Sequence, residues 1–246
     1  MSSGTRRALL TLFAVLLLLP VARAAQLSDE KILRHFDIVA FRNEMYRLPD
    51  PRLHKWVGAV RVFVREDAPV DTAVERILNA QLERLADITE LDFEKAGAET
   101  DANFIVIFTT RERYAETALK ALGRTPGTHH EAVARRLPTT NCVGLYQVDE
   151  PAGHLLKATV IIPLDHVRAT GQLRRCIVEE TTQSMGLPND DNDVYPSVFN
   201  DTSRLDDLTD HDIMLLRLLY DPRMKAGMTR EAALEVARRI LPELRR

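Results

Sequence analysis

The chain of 246 residues lacks the residue pairs on which common hydrolytic sites are built. Its seven histidines supply no pair at ligand spacing on a helix. His129 and His130 are adjacent and point apart, His154 and His166 flank a strand, and His211 opens a late helix. Imidazole is the usual nitrogen ligand of catalytic zinc, so a two-histidine helical zinc site is excluded. No G-x-S-x-G occurs, which removes the nucleophile elbow of serine hydrolases. No Gly-rich phosphate loop occurs among the 10 glycines. Positive charge is not in excess. The net charge of −3 becomes −6 when the three arginines of the amino-terminal segment, Arg6, Arg7 and Arg23, are set aside. A nucleic-acid partner, which needs a basic face, is therefore not expected.

Cysteine is scarce. An even pair, Cys142 and Cys176, reads as a disulfide in an oxidising compartment. The alternative is that Cys176 ligates a metal one turn before Glu179. There is one long apolar run, residues 8–19 (ALLTLFAVLLLL), preceded by Arg6 and Arg7 and followed by Pro20 and Ala22-Arg23-Ala24. Twelve residues fall short of the ~20 that span a bilayer. A basic start, a short apolar core and a small-residue cleavage site predict a secretory signal peptide over 1–24, with an uncleaved anchor as the alternative. No cysteine follows the run, so no lipid-anchored start is expected. The predicted organisation is a signal peptide (1–24), an amino-terminal arm with a short helix (25–54) and one domain (55–246).

Periodicity assigns the elements. Val60, Val62 and Val64 alternate in a strand over 55–65. Val74, Ile77, Leu78, Leu82, Leu85 and Ile88 recur at helical spacing, predicting a helix to about residue 91. Residues 103–109 (NFIVIFT) form a continuous apolar run, predicting a buried strand. A helix over 111–122 and a loop over 124–141 follow. Strands at 143–148 and 155–163 join through DEPAG, a hairpin signal. A helix spans 170–185, with Gly186 at the place of a left-handed cap. Thr209 caps a helix ending before Pro222, and Thr229 caps the last. The order predicts an α+β fold with helices on one face of the sheet.

The chemistry concentrates in residues 176–190, CIVEETTQSMGLPND. Positions i and i+4 of a helix share a face and can hold one metal ion, while i+1 stands beside it as a general base. Here those positions are Glu179, Gln183 and Glu180, and Asn189 follows as a third ligand. The segment resembles the metzincin pattern H-E-x-x-H-x-x-G-x-x-H/D, with Glu, Gln and Asn at the ligand positions. Leu208, Thr209, Asp212, Leu219 and Tyr220 resemble the carboxy-terminal helix of its matrixin branch. A closer resemblance is to a family of Gram-negative envelope proteins catalogued as a domain of unknown function. It rests on RCIVEETTQ-x-x-GLPND, on Ser197-Val198-Phe199-Asn200-Asp201 and on Leu218-Leu219-Tyr220-Asp221-Pro222. These resemblances imply an exported, zincin-like domain built on a mixed twisted sheet, with a degenerate site.

Glutamate, glutamine and asparagine are all oxygen ligands. They suit a hard divalent cation better than zinc, so zinc and ordinary peptide hydrolysis are not expected. Paired acids on a helix ordinarily form a solvated face, and a buried carboxyl–amide network is a further structural alternative. The loop 189–193 (NDDND) carries calcium-type ligands without the Gly and distal Glu of a calcium-binding loop. Asp190, Asp201, Tyr195, Tyr220, His166 and His211 are further residues placed to reach such a site. The expected function is periplasmic or secreted binding of a peptide or envelope polymer, between the helix and an edge strand at 158–162. A metal-dependent hydrolase with Glu180 as base is the alternative, and a purely structural envelope protein is the third reading.

Overall fold

A computed structural model describes residues 27–44, 51–123 and 128–245. The predicted signal peptide lies outside them. No described helix is long and apolar enough to cross a membrane.

The fold is α+β, built on a five-stranded mixed sheet. The strands are β1 (Val60–Glu66), β2 (Phe93–Lys95), β3 (Phe104–Thr109), β4 (Val143–Asp149) and β5 (His154–Pro163), in the order β2-β1-β3-β5-β4. The first three pairings are parallel and β4–β5 is antiparallel. Parallel neighbours need crossovers, and the helix α2 (Thr72–Thr89) supplies one between β1 and β2. The hairpin predicted at DEPAG joins β4 to β5. The strand 158–162, expected at an edge, is interior: Ala158 to Ile162 pair with β3 on one side, and Ala158 to Ile161 pair with β4 on the other. The continuous apolar run of β5 already required burial on both faces, which an edge position would not provide.

Helices cover both faces, not one. Phe104, Val106 and Phe108 of β3 point into the larger core, whereas Ile105 and Ile107 point into a second core. The second core is closed by Tyr114 and Ala118 of α3 (Arg111–Ala121) and by Val133 of α4 (Thr128–Arg136). The helix α4 occupies the stretch read as a loop. Its Pro and Gly lie before and after the helix, which those punctuators do not reveal. Each fully buried side chain of this size contributes roughly 1.5–3 kcal/mol.

The larger core holds α2, α5 (Leu164–Ala169), α6 (Leu173–Gln183), α7 (Asp210–Tyr220), α8 (Arg230–Leu244) and α1 (Asp29–Ala40). Ile32, Phe36 and Val39 of α1 are buried there, and Arg230 of α8 holds Asp37 at 2.5 Å. Of the predicted helix 170–185, residues 173–183 form α6, and the separate short helix α5 precedes it. Gly171, at φ 69°, separates the two in a conformation that side chains resist.

Candidate functional site

The helix α6 runs between the sheet and α2, and all of its residues from Cys176 to Gln183 are buried. Its polar face toward α2 is satisfied locally. Thr181 and Thr182 hydroxyls donate to the Ile177 and Val178 carbonyls at 2.6 and 2.5 Å. The Gln81 amide of α2 donates to both hydroxyl oxygens, at 3.3 and 3.1 Å. The carbonyls at the end of the helix also find partners. Trp56 Nε1 donates to Ser184 O at 3.0 Å and Tyr220 Oη to Met185 O at 2.7 Å. Tyr220 is thus committed to holding the helix end. At Gly186, φ 110°, a Cβ would collide with the His54 carbonyl oxygen, so glycine is required there. The disulfide Cys142–Cys176 ties α6 to the start of β4.

The other face of α6 carries the acids. Glu179 and Glu180 are 7% and 5% exposed, so they are not a solvated helix face. One oxygen each of Glu179, Asp190 and Asp201 lies within 4.8 Å of the others. They line a cavity of about 260 Å³, with Glu180 and Glu44 in its wall. Its rim includes Arg175, Arg136 and Asn141. Five carboxyl groups thus face two guanidiniums.

Arg175 is the structural counter-charge. Its Nε donates to Glu179 Oε2 at 3.1 Å. Its two terminal nitrogens donate to the carbonyls of Ser203, at 2.5 Å, and Asn200, at 3.0 Å. It therefore joins α6 to the loop that carries Asp201. That loop is held at its other end by Asp212, which accepts from Ser197 Oγ at 2.5 Å and from Val198 N at 3.3 Å. Asp212 also closes the capping box with Thr209.

Burial pushes the Glu180 carboxyl well above the ordinary carboxylate range, and the nearby Glu44 and Glu179 push the same way. The Gly144 N–H on β4 opposes this by hydrogen bonding. Burial likewise raises Asp190 well above its usual value, reinforced by Glu44 and Glu179. Glu44 is pushed up to about 7, chiefly by burial and then by Glu179. Glu179 is raised by burial, against the pull of Arg175. Glu180 Oε2 and Ser184 Oγ are buried without a hydrogen-bond partner among the described residues. A Cβ at Gly144 would stand 3.1 and 3.2 Å from these two atoms.

Of the sequence-predicted site residues, Glu179, Asp190 and Asp201 meet directly, with Glu180 beside them. Gln183 and Asn189 are not in the group. Gln183 Nε2 donates to Asp190 Oδ1 at 2.7 Å, and Asn189 Nδ2 donates to the Asp190 carbonyl at 3.0 Å. Both amides hold Asp190 in place. In the NDDND loop, Asp191 and Asp193 turn outward to Arg42 at 3.4 Å and Arg34 at 2.8 Å. His211 lies away from the acids, against His35 at 2.7 Å. His166 Nε2 meets Asn141 Oδ1 at 2.9 Å, on the cavity's edge. Tyr195 is 60% exposed.

Residues 29–239 match a family described as Protein of unknown function (DUF2927). The chain belongs to the DUF2927 family. No curated protein matches it. In this DUF2927 chain two site residues escape sequence reasoning, Glu44 and Arg175. Arg175 had a legible signal, since it stands one helical turn before Glu179. Glu44 had none, because it arrives from the amino-terminal arm.

Proposed function

We propose that this is an exported, periplasmic or secreted protein with a zincin-like fold and a degenerate site. It binds a peptide or envelope polymer through a cationic group in the acid-lined cavity, without cutting it. The observation that carries this reading is the excess of carboxyls over guanidiniums around one cavity of about 260 Å³. A buried acidic site gains most from a ligand cation that replaces missing counter-charge. The antiparallel edge strand β4, lying beside the motif helix, supports the zincin likeness, and the disulfide supports export. On this reading the amino-terminal arm is part of the binding domain, since Glu44 lies in the cavity wall.

Zinc does not fit the donor set. Glu179, Asp190 and Asp201 offer only oxygen, and the side-chain amides of Gln183 and Asn189 are turned to Asp190 as donors. The same three carboxylates favour one second reading, a hydrolase that holds a hard divalent cation there. In that case Glu180 is the general base.

The test uses the full chain purified without chelator. Metal content is measured alongside calorimetric titration with a lysine-containing peptide, for the native protein and for Asp201→Asn. Asp201 is exposed, so this variant keeps the fold. Peptide binding lost in Asp201→Asn, with less than one metal ion per chain, supports the binding reading. One tightly held divalent ion per chain, lost in Asp201→Asn, overturns it in favour of the hydrolase.

A further inference from the structure

A second concave surface lies at the opposite end of the sheet from the acidic cavity. It is a groove of about 810 Å³ between α2 and the edge formed by β1 and β2. Its floor includes the partly buried apolar side chains of Val64, Val70, Leu82 and Phe93. Glu66, Glu75, Glu83 and Glu94 surround it, all exposed. None of these four has an ion-pair partner among the described residues. Lys95 is the cation lining the groove.

The sheet edge here is incomplete. The strand β2 pairs with β1 only from Val60 to Val62. Val60 N donates outward to Asp92 O at 2.8 Å, and Val62 O accepts outward from Ala96 N at 2.8 Å. Backbone groups alternate in direction along a strand, so Val64 and Glu66 turn theirs to the same outer side. No strand lies beside them there among the described residues. A Cβ at Gly97, two residues past the end of β2, would meet nothing within 4 Å. The slot beside Val64 is open.

We propose that this groove is a docking site for an extended segment that carries both apolar residues and lysine or arginine on the one face it turns to α2. The segment adds as a strand along the outer edge of β1. On that face its apolar side chains cover Val64 and Leu82 and its cations reach Glu66, Glu75 and Glu83, while the intervening residues point away from α2. Strand addition supplies main-chain hydrogen bonds, and the apolar floor and acidic surround select the sequence. The acidic surround disfavours an acidic partner, because like charges brought together are costly. The inference does not depend on the acidic cavity or on any metal there.

The probe is a short fluorescein-labelled peptide of the repeat Val-Thr-Lys-Thr, which sets valine and lysine on one face of a strand, titrated against the full chain by anisotropy. Controls are a valine–glutamate peptide and the valine–lysine peptide N-methylated along one edge. Saturable binding is expected for the valine–lysine peptide. It weakens at least about tenfold in Glu66→Lys/Glu75→Lys/Glu83→Lys, a surface variant whose unfolding curve matches the native protein. It weakens equally on N-methylation. No binding, equal binding of the valine–glutamate peptide, or an unchanged triple variant would overturn the proposal. Equal binding of the N-methylated peptide would overturn strand addition. A concentration-dependent dimer in sedimentation, abolished by the triple variant, would assign the groove to a second copy of the chain and also overturn it.

Discussion

Gln183 Nε2 donates to Asp190 Oδ1 at 2.7 Å, so a glutamine at the position of a second metal ligand serves as a hydrogen-bond donor to a buried carboxyl. Gln183→Met keeps the volume and loses the donor. It should lower unfolding free energy by about 1–3 kcal/mol, the usual cost of leaving a buried polar group unpaired. Gln183→Glu adds a carboxyl to the cluster and should cost more at pH 8 than at pH 5. Urea unfolding at both pH values reads this. Equal stability of all three proteins would show that the bond does not hold Asp190.

Gly144 leaves space above Glu180. Gly144→Ala sets a methyl 3.1 Å from Glu180 Oε2 and 3.2 Å from Ser184 Oγ, against a helix tied by a disulfide. The Glu180 carbonyl oxygen stands 3.4 Å away behind them, so the helix itself must give by a few tenths of an ångström, and the substitution should cost about 1–3 kcal/mol, as overpacking does. A melting temperature unchanged in Gly144→Ala would mean that α6 or β4 gives way more easily than this packing implies.

The disulfide Cys142–Cys176 closes a loop with a sequence separation of 34. Replacing both cysteines by alanine should lower unfolding free energy by about 3–4 kcal/mol on the loop-entropy account. The loss should be reproduced by reducing the native protein. A double variant as stable as the native chain would count against the bond as a constraint between β4 and α6.

The buried pair His35–His211 gives stability a pH dependence. Burial, with Lys31 and Arg34 nearby, lowers His35 from the ordinary 6.5 to about 4. Burial and His35 lower His211 to about 3. The unfolded chain takes up protons near pH 6.5 while the folded chain resists. Stability from this pair is thus full above about pH 6.5 and is lost as pH falls through about 4 and then about 3, by several kcal/mol in all. The raised carboxyls work in the opposite sense: Glu44 costs stability as pH rises from 4.5 to about 7. The difference between the native protein and His35→Leu/His211→Leu isolates the histidines. Their advantage over the double variant should shrink between pH 7 and pH 4.5. A difference constant across that range would refute it.

What the chain reveals by itself is what local rules govern. The alternation in β1, the continuous apolar run of β3, the DEPAG hairpin and the caps at Thr209 and Thr229 follow from period, burial and turn chemistry. So does a chemically unusual helix at Glu179–Gln183, since i to i+4 spacing places residues on one face. The even pair of cysteines read correctly as a disulfide. Tertiary structure decided the rest. Helix α4 hides in a stretch whose weak pattern is completed only by packing of Val133 on the second core. Strand order is set by which edges meet in space, so β5 became interior and β4 the edge. The site itself is assembled from α6, the loops carrying Asp190 and Asp201, and Glu44 from far upstream. Whether Gln183 faces a metal or a carboxyl depends on where Asp190 sits, and no spacing along the chain encodes that distance.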